Sequence, residues 1–562
     1  MPEPVRSLGG PALRTLAAER LLTTARPSAR EVGAAAVLLA LVALAVFGPH
    51  VLNGGFMSDD WALQARWEFL RARQGFLPAL LEFSKTLTSQ RPLLAVYFGL
   101  THELLGLRMG PHLAVALAMA VAMGILAYVV LRELGLPPVH AGPLAALVLL
   151  FPGADTTRLW AAASHAQVTI ALYLAGTLLA LRGLSVGGRR GWVLHASALV
   201  LYGLSVLFYE IALLAIAGSL LVYLCRAPLR RALAPWLLDL TLVALLAVLF
   251  TARPDTAHWE VQPLGEQLHN LGLLLDRGAS VLGAVALPTG EQGGWPLVLL
   301  AVPVVAGMVA WRLLPRAHPA HGELRRWVIA AVLGLLLTVA AYAIFAPAPP
   351  NLYNPLPEGM GRRVNALPGV GMVVLVYAAI ALAATLVTVR AGARGRHAAT
   401  GLVALAGLGI AVSYAVTVRR DAGRWDRAYQ RESAALTTMR RRLPALPRFT
   451  LIHAFGQPMF ESPGITVFAA NWDLDSAMRL TLRRPDVRTL PALPGASLRC
   501  TARSVVPANS NFRDFYTPAD VGRYGHVVLV DSRTGDWALP RNRNQCRAAL
   551  PRFVPAGFLP TG

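Results

Sequence analysis

The sequence predicts an α-helical polytopic membrane protein with about 11 crossings, up to 13 membrane helices and a small C-terminal extracytoplasmic α/β domain. Two observations lead to this fold class. Of the 562 residues, 55% are hydrophobic and only 15% are charged, whereas soluble domains are usually about a quarter charged. Apolar runs suited to a bilayer recur up to Val418, and beyond it the composition becomes polar.

We expect three parts: a basic cytoplasmic leader over 1–31, a transmembrane domain over 32–420 and an extracytoplasmic domain over 421–562. Short arginine-rich loops stay in the cytoplasm, which places the N-terminus inside and the C-terminus outside. The predicted crossings are the apolar runs 32–52, 111–131, 139–152, 165–182, 193–209, 211–225, 235–252, 295–314, 326–346, 364–389 and 398–418.

Long loops then face the outside, so we expect any chemistry there. These loops cover 53–91, 153–164, 253–294 and 347–363.

Three further segments mix apolar and polar residues. Segment 62–83 has the pattern of an amphipathic helix that lies in the membrane interface. Segments 92–107 and 270–287 contain charged residues, and counting either one as a crossing would reverse the topology. We therefore expect both to be interfacial or re-entrant helices at the outer face.

Beyond Val418 the pattern predicts a polar helix and short strands. The helix is expected over 424–442, and the strands over 450–455, 466–470 and 526–531. Cys500 and Cys546 both lie in this domain, and two cysteines in an oxidising compartment indicate a disulfide; two free buried thiols are the alternative.

The formal net charge of +22 comes almost entirely from arginine. Such a balance can indicate nucleic-acid binding. Here the arginines largely flank membrane segments, so topology explains them and no nucleic-acid partner is expected. The preference for arginine over lysine is typical of a GC-rich bacterial genome, which suggests a bacterial plasma (inner) membrane.

Paired acids follow the first apolar run in Ser58-Asp59-Asp60-Trp61. Adjacent carboxylates repel each other, so a site that binds a cation or removes a proton could use Asp59 and Asp60. No cofactor is certain, and a divalent cation (Mg²⁺ or Mn²⁺) could bind these acids. The alternative interpretation is that they are solvated loop charges.

Other ionisable residues lie at predicted outer membrane edges. Glu210, a candidate substrate-binding residue, lies between two apolar runs, where a carboxylate is costly unless it is paired or lines a wet cavity. The alternative is that it is a structural partner for a nearby arginine. Arg91 ends the first outer loop and is a candidate phosphate ligand, although an interfacial arginine is equally ordinary. Arg362 and Arg363 oppose the inside-positive bias, and a guanidinium suits bidentate phosphate recognition; lipid headgroups are the alternative ligand.

The second outer loop adds Arg158 and His165 as candidate substrate-binding residues. His165 could carry a proton or be a simple polar cap. Asp155 lies nearby, but no recognisable signature supports a role for it.

Taken together, the layout resembles the GT-C superfamily of integral-membrane glycosyltransferases, which includes protein O-mannosyltransferases and the lipid A aminoarabinose transferase. The resemblance extends over roughly 32–420 and rests on the Ser58-Asp59-Asp60-Trp61 loop, Arg91-Pro92-Leu93-Leu94, Phe98-Gly99, Leu105-Gly106, Phe151-Pro152, Tyr209-Glu210 and the late arginine pair. It implies a polyprenyl-phosphate sugar donor and a first-loop acid, Asp59 or Asp60, as base or metal ligand.

The resemblance thus implies sugar transfer at the outer face to a glycan, lipid or protein acceptor. It also implies membrane lipids around the donor, with Arg91 and the late arginine pair as phosphate contacts. Two other functions remain open. A transporter or flippase of lipid-linked glycans would show repeats and midplane polar groups. A non-catalytic scaffold would leave Asp59, Asp60, Glu210 and the arginines scattered.

Overall fold

The computed structural model of the chain describes residues 26–87, 91–251, 261–287, 295–318, 320–349, 353–508 and 522–554. Most of the predicted leader, much of the loop 253–294 and part of 347–363 lie outside these residues. The helices up to residue 442 are α1 Ala29–Asn53, α2 Asp59–Gln74, α3 Phe76–Leu87, α4 Pro92–Leu105, α5 Met109–Glu133, α6 Pro138–Leu150, α7 Thr156–Leu159, α8 His165–Val186, α9 Gly188–Phe208, α10 Leu213–Ala217, α11 Ser219–Leu224, α12 Leu229–Thr251, α13 Leu264–Ala286, α14 Trp295–Leu313, α15 His321–Ala343, α16 Ala366–Thr388 and α17 Gly392–Arg442.

Within the described residues, eight helices are long and apolar enough to cross a membrane. They contain α1, α5, α8, α9, α12, α15, α16 and α17, and they coincide with eight of the eleven predicted crossings. The predicted fold class is confirmed: the chain is a multi-pass α-helical membrane protein with a small α/β domain after the last crossing.

The three other predicted crossings do not form long, uninterrupted apolar helices. The segment predicted over 139–152 forms the 13-residue helix α6. The crossing predicted over 295–314 forms α14, whose apolar part Val298–Leu313 is shorter than the eight long helices. The segment predicted as one crossing over 211–225 is not a single helix, because α10 and α11 have only five and six residues and are separated by Gly218.

A buried carboxylate fastens this broken segment. Asp239 of α12 accepts hydrogen bonds from the hydroxyls of Ser219 (2.6 Å) and Tyr223 (2.7 Å). Its other oxygen lies 3.3 Å from Nε2 of His195 on α9. These side-chain contacts therefore hold the short helix α11 against α9 and α12.

Two helix hairpins are packed closely through glycine. A methyl group at Gly334 of α15 would lie 2.6 Å from the carbonyl oxygen of Gly371 on α16, and Gly183 and Gly191 place α8 against α9 in the same way. Small residues let backbones approach in a bilayer, where lipid provides no hydrophobic force between helices. These hairpins form much of the frame that carries the site.

The predicted interfacial segments are all helical. Segment 62–83 is split into α2 and α3 at Gly75, whose φ of 83° an L side chain rarely adopts. Segments 92–107 and 270–287 correspond to α4 and α13.

Helix α17 continues without interruption through the predicted domain boundary at 420/421. Its 51 residues include both the predicted crossing 398–418 and the predicted polar helix 424–442, so these are one element.

The C-terminal domain contains a four-stranded sheet in the order β4-β1-β8-β9. β1 is parallel to β4 and β8, and β9 pairs antiparallel at the edge. The elements after α17 are β1 Leu451–Phe455, β2 Phe460–Ser462, β3 Ile465–Thr466, α18 Asn471–Leu482, β4 Arg488–Pro491, β5 Leu498–Cys500, β6 Ser504–Pro507, β7 Gly522–Arg523, β8 Val527–Asp531, β9 Trp537–Ala538 and α19 Arg543–Ala549.

The strands predicted over 450–455 and 526–531 correspond to β1 and β8, which are buried almost throughout. The strand predicted over 466–470 is wrong beyond its first residue, because β3 ends at Thr466 and Phe468 has a φ of 53°. Cys500 and Cys546 form a disulfide, as predicted.

Candidate active site

Asp60 connects the loop 53–91 to the loop 153–164 by hydrogen bonds. Its Oδ2 accepts a hydrogen bond from the Met57 amide (3.0 Å) and its Oδ1 one from the Ala162 amide (2.6 Å). The residue is 3% exposed, and burial raises the pKa of its carboxyl well above the ordinary value, against these two bonds. Both oxygens are committed to backbone amides, so Asp60 is a positioning residue.

Asp59 is the accessible member of the pair. It is only partly buried, and its Oδ1 accepts a hydrogen bond from the indole Nε1 of Trp472 at 3.2 Å. Burial raises the pKa of the Asp59 carboxyl, while the charge of Arg363 and the indole bond oppose that rise. A carboxylate with a raised pKa is a better proton acceptor near neutral pH.

The neighbouring arginines Arg362 and Arg363 also differ in burial: the first is enclosed by carboxylates and the second is partly exposed. Arg362 is 5% exposed, and its Nη1 lies 2.8 Å from Asp155 and 2.5 Å from Asp421. Its Nε donates to the carbonyl of Pro357. This geometry favours a structural role for Arg362 over the predicted substrate contact, because the guanidinium ties α17 to the loop 153–164.

Arg363 is partly exposed and makes no hydrogen bond or ion pair with any residue that the structure describes. Its guanidinium carbon lies 5.5 Å from the ring centroid of Trp160, and its charge acts on Asp59 and Tyr209. Trp160 is itself fixed, because its indole donates to the carbonyl of Met57 at 3.0 Å. Arg363 is therefore held beside Asp59 with its donors available.

Arg91 and Glu210 form a bidentate ion pair with N···O distances of 2.9 and 2.5 Å. The Arg91 guanidinium also lies 4.3 Å above the ring of Tyr209 and donates to the Tyr353 hydroxyl. Burial favours the neutral carboxyl, but the charge and hydrogen bonds of Arg91 outweigh it and lower the pKa of Glu210. Nη1 of Arg91 makes no hydrogen bond within the described part of the chain.

His165 lies between these groups, and Arg158 lies apart from them. The Nδ1 of His165 is 2.6 Å from the carbonyl of Ala162, and its ring centroid is 5.0 Å from that of Tyr209. Arg158 is 3% exposed and donates to the carbonyls of Val148 and Phe151 at the end of α6. This geometry favours a structural role for Arg158 over the predicted substrate contact, because its guanidinium caps the end of α6.

Sequence reasoning brought Asp59, Arg91, His165, Glu210 and Arg363 into consideration, and the structure brings them into one region. It missed Trp472, because its indole meets Asp59 across 413 positions of sequence. It missed Trp160 and Tyr353 for the same reason. Tyr209 carried a signal, since it directly precedes the flagged Glu210.

An apolar cavity of about 450 Å³ begins next to this polar region. It is lined by α5, α6, α8, α10, α11, α15 and α16. Ile170, Leu214 and Leu367 line it, and each follows a site residue (His165, Glu210 or Arg363) by four or five positions. The lining extends along α15 from Ala340 to Arg326, about 21 Å at 1.5 Å per residue.

The residues present do not suit a divalent cation held by the paired acids. Across the residues described, no group of three His, Cys, Asp or Glu side chains is arranged to hold a metal ion. Each oxygen of Asp60 already accepts a backbone hydrogen bond, and Asp59 faces an arginine and an indole donor.

No protein-family model and no curated protein matches the chain. Among solved structures, the chain is similar to the crystal structure of ArnT from Cupriavidus metallidurans bound to undecaprenyl phosphate. The sequence identity is 15%, the TM-score is 0.38, and the match covers 81% of this chain and 85% of that chain. A similarity of this strength assigns no activity.

Proposed function

We propose that this protein is a GT-C-type membrane glycosyltransferase that moves a sugar from a polyprenyl-phosphate donor to an envelope acceptor on the outer face. One observation carries the proposal: a polar region with an accessible carboxylate, and with an arginine that makes no ion pair with any described residue, lies next to an apolar cavity. A lipid-linked sugar phosphate has this same division into a charged head and an apolar tail.

Asp59 is the proposed general base. It would take the proton of an acceptor hydroxyl, whose oxygen forms a bond to the anomeric carbon while the bond from that carbon to the phosphate oxygen breaks. Polyprenyl phosphate leaves with the bonding electrons. The raised pKa of Asp59 suits this task, because a base is most effective when its pKa approaches the working pH.

Arg363 and Arg91 are the proposed phosphate ligands. Arg363 makes no ion pair with any described residue, although its charge acts on Asp59, and charge-assisted hydrogen bonds from it would stabilise the charge that builds on the leaving phosphate. Arg91 retains one nitrogen for a ligand, while Glu210 and Tyr209 fix its orientation. His165 lies against Tyr209 and would line the same phosphate-binding region.

The gathering of these residues favours an enzyme over a scaffold. A flippase would place its polar groups near the bilayer midplane. The buried pair of Asp239 and His195 fastens the broken segment 213–224 and does not form such a path.

Transfer is tested with purified protein and undecaprenyl-phosphate hexoses carrying radiolabelled sugar, together with mass analysis of envelope glycans from a deletion strain. Wild type should restore the missing glycan and Asp59→Asn should not. Asp536→Asn is the matched control, because Asp536 is an exposed acid of the C-terminal domain whose side chain pairs with Arg552 at the surface. Complementation by Asp59→Asn at the wild-type level would refute the proposal.

We also propose a plasma-membrane location with a cytoplasmic N-terminus and an extracytoplasmic C-terminal domain. Asp536→Cys gives a test, since the position is exposed. A membrane-impermeant thiol reagent should label it in intact cells. Labelling only after permeabilisation would reverse the topology.

A further inference from the structure

Trp472 presents a large aromatic surface at the mouth of the site. Trp472 is 49% exposed, although burying the apolar part of an indole ring is energetically favourable. Its indole N–H donates to Asp59 at 3.2 Å, so one edge of the ring is fixed against the proposed base. By contrast, Trp67, Trp160 and Trp425 are fully buried.

The C-terminal domain is packed against the loops that carry the chemistry. Leu474, Ala477 and Met478 of α18 share one hydrophobic cluster with Trp61 and Ala65 of α2. This packing holds the start of α18, and with it Trp472, over the start of α2.

A second contact joins the domain to the loop that carries Arg363. The Met360 amide donates to the carbonyl of Gly464, between β2 and β3, at 2.9 Å. A methyl group at Gly359 would overlap the backbone of Gly464, so the two chains touch there. The C-terminal domain is thus a wall of the site, in contact with both loops.

An exposed indole face selects for a particular ligand chemistry. Its negative π surface attracts groups with a partial positive charge, and the C–H groups on one face of a pyranose ring are such groups. The hydroxyls of that pyranose lie around its rim, so a ring stacked on Trp472 would direct a hydroxyl toward Asp59. A quaternary ammonium headgroup could bind the same face by a cation–π interaction.

We infer that Trp472 forms the acceptor subsite and that the acceptor is a glycan, whose pyranose ring stacks on the indole while its hydroxyl meets Asp59. The transfer step of this inference rests on the proposed function. Trp472 then determines acceptor specificity, and the C-terminal domain supplies acceptor recognition to a membrane domain that binds the donor.

Kinetics with Trp472→Ala and Trp472→Phe separate the ring from its N–H group. We expect Trp472→Ala to raise the acceptor KM about tenfold, and Trp472→Phe to change it less than about threefold because a ring remains. The donor KM should stay unchanged in both variants. Both should move the acidic limb of the pH–rate profile upward, because the indole bond that favours the ionised form of Asp59 is lost.

Trp537→Phe is the matched control, since Trp537 lies in β9 of the same domain and is 36% exposed. It should leave both KM values unchanged. An unchanged acceptor KM in Trp472→Ala, in protein that transfers sugar normally, would overturn the subsite while the proposed function survives.

A binding experiment keeps the inference testable if no transfer is found. Methyl glycosides of glucose, mannose and galactose are titrated into detergent-solubilised protein at millimolar concentrations while tryptophan fluorescence is followed. At least one glycoside should change the emission of wild type and of Trp537→Phe but not of Trp472→Ala. A response to choline chloride alone, or equal glycoside responses in all three proteins, would refute glycan stacking.

Discussion

Replacing each of two adjacent arginines by methionine should separate stability from function. Arg362 is buried between Asp155 and Asp421, which are 1% and 5% exposed. Removing one partner of a buried ion pair costs about 3–5 kcal/mol, because the remaining charge is left uncompensated. Arg424 still neutralises Asp421 at 3.3 Å, so the cost falls chiefly on Asp155. We therefore expect Arg362→Met to lower the free energy of unfolding by about 3–5 kcal/mol.

Arg363→Met provides the comparison at the next position. Its described contacts amount to a cation–π interaction with Trp160, worth about 0.5–1 kcal/mol. We expect nearly wild-type stability with donor binding reduced about tenfold or more, since a charge-assisted bond contributes about 1.5–3 kcal/mol. Arg363→Lys should bind the donor with intermediate strength, because it keeps the charge and loses the planar fork.

The assays are denaturant titration in detergent micelles and equilibrium binding of an undecaprenyl-phosphate hexose. The instability of Arg362→Met should be greater at pH 8 than at pH 6. Burial raises the pKa of Asp155, and the charge of Arg362 opposes that rise. Without Arg362 the folded pKa of Asp155 should be higher still, so the variant should keep losing stability as the pH rises after wild type has levelled off. Wild-type stability in Arg362→Met would refute the buried-pair assignment, and a loss above about 2 kcal/mol in Arg363→Met would refute the view that its side chain is free.

Three other predictions follow from the site and the outer domain. Asp59→Asn should abolish transfer and keep the wild-type melting temperature, whereas Asp60→Asn should lower the melting temperature. Equal melting temperatures of the two variants would contradict the assignment of Asp59 as the base and Asp60 as a positioning residue. In wild type, transfer should fall with acid at a pH above the ordinary aspartate pKa, because the pKa of Asp59 is raised, and a pH–rate profile with its acidic limb near pH 4 would contradict this. Cys500→Ser should destabilise the outer domain by up to about 4 kcal/mol on the loop-entropy model for a separation of 46 residues, measured as faster proteolysis of that domain; unchanged proteolysis would show that the disulfide contributes little.

Properties that depend on local composition could be predicted from the sequence. Long apolar runs predicted the eight spanning helices, because a bilayer requires such runs wherever they occur. The disulfide between Cys500 and Cys546 followed from the compartment and the number of cysteines. Segment 211–225 could not be predicted in the same way, because what fastens its broken helices is Asp239, on a different helix.

Properties that depend on tertiary partners could not be predicted. Arg362 and Arg363 are the same residue type at adjacent positions, yet one is enclosed by two carboxylates and the other is not. Asp59 and Asp60 likewise differ only in what the fold brings to them. Trp472 belongs to a segment that the sequence assigned to a separate domain, so nothing local connected it with the first loop.

The continuous helix α17 links the C-terminal domain directly to the membrane-spanning part of the chain. The 24 residues from Arg419 to Arg442 extend about 36 Å beyond the apolar part of the helix, and the helix contains no proline to act as a hinge. Membrane helices tilt when hydrophobic thickness changes. A change of tilt by a few degrees would displace the far end of such a lever by about 2 Å. We expect such a displacement to act first on the hydrophobic cluster in which the far end of α17 packs against α2 and α18, the same cluster that holds Trp472 beside Asp59.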